Sequence, residues 1–519
     1  MRARSHRLLT FALPSLAALV LPLSVHAAPV EHDRVVRAVA DCAAAVRIAL
    51  PNAHVIAANA IPSNDSLRAL GRKPYCRVEA TIDVETHIVA LLPDDWNGRF
   101  LMGGAGGFAG IVQNQVESSV HEGYATAGTD AGHTATGATA QWALHNERRI
   151  ADYGHRAVHR AAEVTRALIT AYYGRAPEHS YFIGCSNGGR EALMEAQRYP
   201  ADFDGIVAIA PAFDFLDIMA AFIHNLQAQY PTGNLDAPVV TPAALRLVAA
   251  KVMERCDALD GVRDGILENP EACTFTLASL PACTNDVATE GCVTRAQRAA
   301  LTAFTTPLTA GTLRYPGWPF GDEANPDGWQ TWITGPVASM VEMAAAPTFQ
   351  SVFATQFFKY FVYADSAWRY VDYDLARAGR DGGKVSAVIS ATNPDLSAFH
   401  AHGGKLLLAH GWSDPALSAR STIAYFNAVQ RRTPQAASFT RLFLLPGVLH
   451  CGGGRGCDDV DYTGIIRRWV EQGDAPSRII ARKLQGTKVV RTHPLCAYPM
   501  TARYDSRGST NDAAAFRCR

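Results

Sequence analysis

The sequence has no excess of charge of either sign. Its 48 Lys and Arg residues balance 48 Asp and Glu residues, and charged residues make up 18% of the 519-residue chain. A protein that binds nucleic acid or an anionic membrane surface is expected to carry a basic patch or block, and none stands out here. The balance argues against both kinds of partner.

Several other signals are missing as well. After the first residues no apolar run is long enough to cross a bilayer, no cysteine pair has the CxxC spacing of a zinc site, and no internal repeat or low-complexity tract is visible. Hydrophobic residues make up 48% of the chain, which is enough to bury a large core. The length predicts one large domain with an insertion, or two domains.

The N-terminal residues 1–27 have the layout of a secretory signal peptide. Three arginines precede an apolar run over residues 8–23, and Val25-His26-Ala27 places small residues where a signal peptidase reads them. A membrane anchor is the alternative, but the run contains two prolines and is short for a full span. We expect a secreted or periplasmic protein whose mature chain begins near Ala28.

The 11 cysteines agree with export, because most cysteines pair in an oxidising compartment. The natural local pairs are Cys42–Cys76, Cys256–Cys273, Cys283–Cys292 and Cys496–Cys518. Spacing alone does not prove these pairings. They leave Cys185, Cys451 and Cys457 unassigned.

Short strands alternate with helices in two separate parts of the chain. The first part, residues 28–212, shows predicted strands near residues 77–92, 99–102, 124–128, 181–183 and 205–210, with helices at 153–173 and 191–198. The pattern returns in residues 401–519, with strands at 405–409 and 441–445 and helices near 418–430 and 462–472. Such alternation predicts a mostly parallel α/β sheet, and residues 213–400, which lack it, are interpreted as an inserted domain.

A nucleophile motif lies between one of these strands and the following helix. Gly184-Cys185-Ser186-Asn187-Gly188 fits G-x-S-x-G, in which a tight turn lifts the serine hydroxyl out of the backbone. Small residues two positions before and after the serine are needed for that turn. Ser186 is therefore the predicted nucleophile, and the N–H of Asn187 is positioned to face a developing oxyanion. The alternative is a structural turn in which the serine has no catalytic role.

Chain order then selects the acid and the base, because this arrangement runs Ser, Asp or Glu, His. Asp414 follows the strand at 405–409, whereas Asp395 has no strand before it. His450 follows the strand at 441–445, and the one later histidine, His493, lies in a polar tail segment. The prediction is that His450 takes the Ser186 proton and that Asp414 holds the imidazole.

Cysteines adjoin two of the predicted catalytic residues. Cys185 precedes Ser186 and Cys451 follows His450, so the two thiols meet if the serine and the histidine meet. A Cys185–Cys451 disulfide would close a loop of about 265 residues and limit drift between the two catalytic loops. Two unpaired buried thiols are the alternative.

Together these residues resemble the tannase and feruloyl esterase family of α/β-hydrolases, which carries a Cys-Ser, Asp, His-Cys arrangement with a bridging disulfide. The resemblance extends from Cys42 to Cys518, and the matching segments are residues 95–100, the glycine loop to Gly110, residues 181–200 and residues 256–270. It implies an α/β-hydrolase fold with a large inserted lid domain. It also implies the four local disulfides, an unpaired Cys457, and Gly107 as the second oxyanion donor.

An acidic loop at residues 256–266 concentrates three aspartates and two glycines. Carboxylate oxygens in tight turns suit Ca²⁺, although the spacing is not that of an EF-hand, and a solvated acidic turn is the alternative. The family resemblance implies a structural Ca²⁺ in the lid. Its implied ligands are the side chains of Asp257, Asp260 and Asp264 and the carbonyls of Val262 and Ile266.

The expected reaction is hydrolysis of an aromatic acid ester through an acyl-enzyme on Ser186. The insertion is rich in aromatic residues that can face an aromatic acyl group, although most of them are expected to be lid core: Trp329, Trp332, Phe349, Phe353, Phe357, Phe358, Tyr360, Phe361, Tyr363, Trp368, Tyr370 and Tyr373. No organic cofactor is implied.

Within the family the choice lies between a hydroxycinnamate (feruloyl) ester, a gallate ester as in tannases, and a mono(2-hydroxyethyl) terephthalate-type monoester. A terephthalate monoesterase would be expected to have a lid arginine for the free carboxylate. Residues 329–365 contain none, only Lys359, although Arg369 is near. Feruloyl esterase is slightly favoured.

Two alternative functions lie outside this choice of ester substrates. A binding protein that keeps the hydrolase fold without catalysis usually loses a member of the triad, and all three candidates are present here. A serine peptidase of the same fold is disfavoured by the cysteines that flank the triad.

Overall fold

The computed structural model describes residues 35–335 and 346–519, and the predicted signal peptide lies outside them. Within these residues a nine-stranded sheet has the order β1-β2-β3-β5-β4-β6-β7-β10-β11. The strands from β5 to β11 in that order run parallel, and β1, β2 and β3 continue the sheet antiparallel at one edge. The predicted mostly parallel α/β sheet is confirmed.

The strands and helices have the following bounds. The strands are β1 Ala53–Ile61, β2 Tyr75–Ile82, β3 Thr86–Pro93, β4 Arg99–Gly103, β5 Ala125–Thr129, β6 His179–Cys185, β7 Gly205–Ile209, β8 Leu308–Ala310, β9 Leu313–Tyr315, β10 Lys405–Gly411, β11 Thr440–Leu445, β12 Arg478–Gln485, β13 Lys488–Cys496, β14 Ala502–Tyr504 and β15 Phe516–Cys518. The α-helices are α1 Asp65–Ala69, α2 Glu147–Ala151, α3 Ala157–Tyr173, α4 Asn187–Arg198, α5 Phe215–Gln229, α6 Pro242–Cys256, α7 Arg295–Thr305, α8 Phe349–Gln356, α9 Ala378–Ile389, α10 Ser397–Ala401, α11 Ala419–Arg432, α12 Ala436–Phe439 and α13 Tyr462–Gln472. None of the helices in residues 35–335 and 346–519 combines the length and apolar composition of a membrane span.

The sequence patterns located most strands of the sheet but did not separate the strands at its antiparallel edge. The apparent single strand at residues 77–92 is a hairpin, because a turn at Asp83, with φ 51°, separates β2 from β3. Likewise, His493 does not lie in a polar tail but in β13, where it is 6% exposed and bonds to Glu268. Alternation within a strand does not show where a tight turn interrupts it, which explains the first difference. The second arises because His493 is buried by pairing of β13 with β12 and by its contact with Glu268, which local polarity does not report.

Helices cover both faces of the sheet. On one face α3, α4 and α11 bury a cluster around Phe100, Phe182 and Leu406, and on the other face α13 packs Ile466 and Trp469 against the sheet. Residues between β7 and β10 form a further core, in which α5 is central and packs against α7, α8 and α9. This third core places the inserted helices beside the carboxyl ends of the parallel strands, where ligands of open α/β sheets bind.

Five disulfides connect the chain: Cys42–Cys76, Cys185–Cys451, Cys256–Cys273, Cys283–Cys292 and Cys496–Cys518. These are the pairs that the sequence and the family resemblance indicated. Cys457 is free and buried, and burial raises the pKa of its thiol to about 11, so it remains protonated at neutral pH.

A cluster of charged side chains lies between α3 and α4, outside the G-x-S-x-G motif at Ser186. Asp202 accepts hydrogen bonds from Arg166 at 2.7 Å and from the His159 imidazole at 2.6 Å. Glu195 is 1% exposed, and neither carboxylate oxygen finds a hydrogen-bond partner. Burial, reinforced by the Asp202 charge, raises the pKa of Glu195 well above 4.5, so this side chain is held in its neutral form.

This buried acid is expected to make stability depend on pH. Above about pH 4.5 the unfolded chain loses the Glu195 proton and the folded chain keeps it, so the free energy of unfolding falls as the pH rises towards the raised folded pKa. In Glu195→Gln the part of this decrease in the free energy of unfolding that Glu195 causes should be absent. Denaturant titrations at about pH 5 and about pH 8 measure it. Glu254→Gln, at an exposed position on α6, is the control, and equal pH slopes in Glu195→Gln and the wild type would contradict the assignment.

Candidate active site

Ser186 lies at the turn between β6 and α4, at the carboxyl end of the parallel sheet. Its φ of 64° and ψ of −121° place it in a backbone region that residues other than glycine rarely occupy. Such strain at a strand-to-helix turn projects the side chain above the sheet edge. The geometry is that of a nucleophile elbow.

Two glycines make this turn possible. A Cβ on Gly184 would lie 2.4 Å from the Gly188 carbonyl oxygen, and one on Gly188 would lie 2.8 Å from Gln115 Oε1. Both separations are below van der Waals contact. Close approach of the backbone therefore requires glycine at position 184, and at position 188 the Gln115 side chain and the Gly104 Cα, 3.1 Å away, leave little room for a Cβ.

The structure brings the three predicted triad residues together. His450 Nε2 lies 2.9 Å from Ser186 Oγ, and His450 Nδ1 lies 2.8 Å from Asp414 Oδ2. Asp414 follows β10 and His450 follows β11, so neighbouring strands deliver both side chains to one edge of the sheet. Each contact is within hydrogen-bonding distance, so a proton can pass from Ser186 to His450.

Asp414 is fully buried and richly hydrogen-bonded. Its Oδ1 accepts the N–H groups of Ala416 and Leu417 at 2.8 and 2.9 Å. Burial by itself raises the pKa of Asp414, but the charge of His450 and hydrogen bonds from His410 and His450 outweigh it and hold the pKa well below its usual value. The carboxylate is therefore ionised at every pH at which His450 can act as a base.

His410 is a member of this site that the sequence analysis missed. It is the second-last residue of β10, is completely buried, and places Nε2 3.2 Å from Asp414 Oδ2 and 3.0 Å from the Leu417 carbonyl. Since both neighbours only accept hydrogen bonds, Nε2 carries the hydrogen, and Thr422 Oγ1 bonds Nδ1 at 2.8 Å. His410 and His450 thus contact the same oxygen of Asp414, and His410 helps to hold that oxygen in position. The signal available in the sequence was a histidine four residues before the predicted acid.

Replacing His410 with leucine is expected to lower kcat about tenfold with little change in KM, because Asp414 loses one of its fixed donors. The acid limb of the pH–rate profile should move to higher pH, since Asp414 then stabilises protonated His450 more strongly. His410→Gln, which retains an N–H donor, should restore part of the rate. Thr422→Val serves as the control because it removes only the Nδ1 contact. An unchanged pH profile in His410→Leu would refute the positioning role.

The disulfide Cys185–Cys451 joins the residues that adjoin Ser186 and His450. Its Cα atoms are 5.9 Å apart, and its two halves are 266 residues apart in sequence. Cys451 itself has a φ of 63°, so the base loop is strained where it meets the nucleophile loop. The covalent link holds the two loops at the spacing that the Ser186–His450 hydrogen bond needs.

The two residues predicted to supply the oxyanion donors both line the pocket beside Ser186. Asn187 is the first residue of α4, where backbone N–H groups have no acceptor inside the helix. Gly107 lies across the pocket with a φ of 56°, and its carbonyl lies 2.9 Å from the Tyr153 hydroxyl. A Cβ on Gly107 would meet the Gly137 carbonyl oxygen at 2.6 Å, so glycine is needed at this position.

A buried polar network ties these two donors together. Asn187 Nδ2 donates to the Ala105 carbonyl at 3.2 Å and to Glu191 at 2.9 Å, and its Oδ1 accepts from Arg190 at 2.8 Å. Glu191 in turn accepts the Ala105 N–H at 3.0 Å. Burial raises the pKa of Glu191 to about 7. The network fixes the glycine loop against the start of α4, and only the fold reveals it.

The pocket beside Ser186 has a volume of about 280 Å³ and walls that are mostly apolar. Its lining is Gly106, Gly107, Gln115, Ser186, Asn187, Ala212, Phe215, Met219, Phe222, Trp332, Phe349, Phe353, Ala416, Leu417, His450 and Cys451. Trp332 stands edge-on to His450 with ring centroids 5.1 Å apart and packs on Phe349 at 4.7 Å. This pocket has the size and composition of a small-molecule site.

Three of the twelve aromatic residues singled out in the insertion line this pocket: Trp332, Phe349 and Phe353. Most of the others pack in the core of the insertion, as the sequence analysis expected. Lys359 and Arg369 line a separate cavity of about 240 Å³. Asp395, the rejected acid, bonds to Ser397 and Arg432 at the surface.

The acidic loop lies outside the pocket and is folded by its own carboxylates. Asp257 accepts the Gly265 N–H at 2.9 Å, Asp260 accepts the Val262 N–H at 2.9 Å, and Asp264 forms an ion pair with Arg491. Burial, with the charges of Asp264 and Glu268, raises the pKa of Asp260 to about 6. Crowded, partly buried oxygens of this kind are hard donors that a cation would stabilise.

Comparisons with known proteins agree with this geometry. The family model described as tannase and feruloyl esterase matches residues 69–519. Mono(2-hydroxyethyl) terephthalate hydrolase of Piscinibacter sakaiensis is 33% identical over 89% of this chain and 87% of its own, and feruloyl esterase B of Aspergillus niger is 32% identical over 85% and 86%. The crystal structure of feruloyl esterase B from Aspergillus oryzae matches with a TM-score of 0.81 at 27% identity, covering 92% of this chain and 99% of that one.

The fold, together with these relatives, defines an α/β-hydrolase that acts as a carboxylic ester hydrolase. Carboxylic esters are therefore its substrates. The chain belongs to the tannase and feruloyl esterase family.

Proposed function

We propose that this enzyme hydrolyses esters of aromatic acids through an acyl-enzyme on Ser186. The observation that carries the proposal is the continuous hydrogen-bonded line from Ser186 Oγ through His450 to Asp414, at 2.9 and 2.8 Å. His450 accepts the Ser186 proton as Oγ attacks the carbonyl carbon, then gives it to the departing alcohol. Water, activated by the same imidazole, releases the acid.

The N–H groups of Gly107 and Asn187 would hold the oxyanion of each tetrahedral intermediate. Support comes from the position of both residues in the pocket wall beside Ser186 and from the buried network that fixes them. Donors that are already in place need no reorganisation when charge develops, which is why such groups contribute strongly to the rate.

A feruloyl (hydroxycinnamate) ester is the substrate we favour. Rings of Phe215, Phe222, Trp332, Phe349 and Phe353 offer faces and edges to a planar aromatic acyl group. Several relatives are named feruloyl esterases. We further propose that residues 213–400 act as a lid domain, since they supply all five of these aromatic rings.

Gallate and terephthalate monoesters are the alternatives within the same mechanism. A terephthalate monoester carries a second, ionised carboxylate, which would favour a cation in the acyl pocket. The described lining contains no arginine or lysine, and Lys359 and Arg369 belong to the other cavity. A gallate ester, with three ring hydroxyls, would need more polar walls than this pocket provides.

A rate comparison on methyl ferulate, methyl gallate and mono(2-hydroxyethyl) terephthalate tests the proposal. We expect the highest kcat/KM on methyl ferulate. A kcat/KM about tenfold above that of the other two esters corresponds to one well-placed contact with the substrate. A peptide substrate panel and aliphatic esters of similar size are the controls. Faster hydrolysis of aliphatic esters, or of peptides, would overturn the aromatic ester assignment.

We also propose a structural Ca²⁺ in the acidic loop. Asp257, Asp260 and Asp264, with the carbonyls of Val262 and Ile266, would bind it, and the oxygen-only donor set suits this ion. The ion would brace the lid by neutralising the crowded carboxylates, and the loop does not reach the catalytic pocket.

Chelation is expected to lower the melting temperature of the enzyme. At free Ca²⁺ about 100 times its Kd, binding adds about 2.7 kcal/mol to the free energy of unfolding, and this is lost with chelator. Asp260→Asn should melt at the same temperature with and without chelator. Equal melting of the wild type under both conditions would exclude the ion.

Secretion or export to the periplasm is the localisation we propose. Five disulfides in the described part of the chain support it, because such bonds persist in oxidising compartments. The N-terminal layout of residues 1–27 predicts the same.

A further inference from the structure

Two helices of the insertion are joined by buried amide side chains to the loop that follows β10. Gln350 lies in the first turn of α8, and its Nε2 donates to the Pro415 carbonyl at 3.2 Å. Asn225 of α5 donates through Nδ2 to Gln350 Oε1 at 2.9 Å. Asn225 and Gln350 are each 1% exposed. The two hydrogen bonds therefore connect α5 and α8 to this loop in a region that solvent does not reach.

The Pro415 carbonyl belongs to a peptide group that also contacts Asp414 of the triad. The N–H of the same peptide group, on Ala416, donates to Asp414 Oδ1 at 2.8 Å. Because a peptide group is planar, a donor that fixes its carbonyl also fixes the direction of its N–H. Gln350 thus acts on Asp414 through one intervening peptide group.

A continuous line of hydrogen bonds therefore runs from the insertion to the nucleophile. Its members, in order, are Asn225, Gln350, the Pro415–Ala416 peptide group, Asp414, His450 and Ser186. Hydrogen bonds that follow one another in this way polarise each other when little water surrounds them. A change at the insertion end of the line is therefore felt at its catalytic end.

Packing alone does not explain an asparagine at position 225. In the part of the chain that the structure describes, Asn225 Oδ1 has no hydrogen-bond partner, so the bond to Gln350 is the one that this side chain makes. A buried amide oxygen without a donor destabilises a fold. A leucine of similar size would avoid that cost, so the bond donated to Gln350 is what accounts for the amide.

The first turn of α8 also carries part of the wall of the catalytic pocket. Phe349 and Phe353 of α8 line this pocket. The turn is fixed by a capping box, in which Thr348 Oγ1 accepts the Ser351 N–H at 3.1 Å and Ser351 Oγ accepts the Thr348 N–H at 3.2 Å. Gln350 therefore links a rigid helix start that bears aromatic walls to the loop that bears Asp414.

We propose that Gln350 is a positioning residue that couples the seating of the insertion to the orientation of Asp414. With α8 packed against the loop after β10, Gln350 holds the Pro415–Ala416 peptide group so that Asp414 is aimed at His450. With α8 displaced, Asp414 loses this support. The rate then depends on how the insertion is seated, even for an acyl group too small to touch its aromatic rings. This inference rests on the proposed function and adds a residue of the insertion that acts through the triad.

Two esters of one alcohol test the coupling in Gln350→Met, which keeps the length of the side chain and removes its N–H donor. The esters are p-nitrophenyl acetate, whose acyl group is too small to reach the aromatic walls, and p-nitrophenyl ferulate. We expect kcat to fall about tenfold on both esters with little change in KM, because the Asp414 loop serves both acyl groups. A role confined to the pocket wall would instead raise KM on the ferulate and leave the acetate unaffected.

A second variant and a matched control complete the test. Asn225→Leu should lower kcat on both esters in the same direction but by less, because it lies one bond further from Asp414. Gln229 is a buried glutamine of α5 whose Nε2 donates to the carbonyls of Val240 and Thr334 at 2.9 and 2.8 Å, within the insertion. Gln229→Met should therefore keep the wild-type kcat on both esters.

The outcomes separate the coupling from the proposed function. Wild-type kcat on both esters in Gln350→Met, or a change in that variant confined to KM on the ferulate, would overturn the coupling and leave the acyl-enzyme mechanism intact. Equal losses of kcat in Gln350→Met and Gln229→Met would also overturn it, because any buried amide would then suffice. Hydrolysis of both esters by Ser186→Ala at the wild-type rate would overturn the proposed function and the coupling with it.

Discussion

Replacing Ser186 with alanine is expected to lower kcat/KM for ester hydrolysis by about five orders of magnitude. The expectation follows from the geometry, because Ser186 Oγ is the hydroxyl that the His450 Nε2 contacts at 2.9 Å, and its removal leaves no nucleophile for the acyl-enzyme. Alanine keeps the Cβ, so the strained backbone at φ 64° is unchanged and the fold should persist. Initial rates on an activated aromatic ester measure the effect.

Two further variants sharpen this test. His450→Ala should be almost as inactive, and the double variant Ser186→Ala/His450→Ala should be no worse than either single one, because the two side chains act as a unit. Ser279→Ala, at an exposed serine, should keep the wild-type rate. Mass spectrometry should locate the acyl adduct on Ser186 in a rapidly quenched reaction. If Ser186→Ala had the melting temperature of the wild type and still hydrolysed the ester substantially, the acyl-enzyme mechanism would be rejected. Ser186 would then have a non-catalytic role.

Removing the disulfide between the catalytic loops should have the second large effect. In the chain-entropy model, a link between residues 266 apart contributes roughly 5 kcal/mol to the free energy of unfolding. The double variant Cys185→Ala/Cys451→Ala should lose about this amount in denaturant titrations. Its kcat should fall about a hundredfold, because a shift of about 1 Å between Ser186 and His450 breaks their hydrogen bond.

The short disulfide Cys283–Cys292 provides the matched comparison. Its cysteines are nine residues apart, so the same model gives about 2.5 kcal/mol, and the pair lines no wall of the catalytic pocket. Cys283→Ala/Cys292→Ala should therefore lose less stability and keep its kcat. If both double variants lost the same activity, the Cys185–Cys451 bond would have no special role in aligning the loops.

Catalytic residues that lie in short, recognisable segments could be predicted from the sequence. Ser186 was marked by a local motif, and Asp414 and His450 by their positions after two late strands, since parallel strands end at one edge of the sheet. Cys185 and Cys451 were recognised because they adjoin Ser186 and His450 in the sequence. His410, Tyr153 and Glu191 were not found, because each acts by touching a residue distant in sequence or by burial, and no local pattern reports either.

The sequence by itself determined the identity of the reacting groups, the alternation that builds the parallel sheet, and the residues that can pair across the two catalytic loops. The tertiary structure alone decided which aromatic side chains of the insertion line the pocket beside Ser186 and how the buried network holds the glycine loop against Asn187. These features depend on packing between segments that are far apart along the chain, whereas a motif depends only on the backbone turn that contains it.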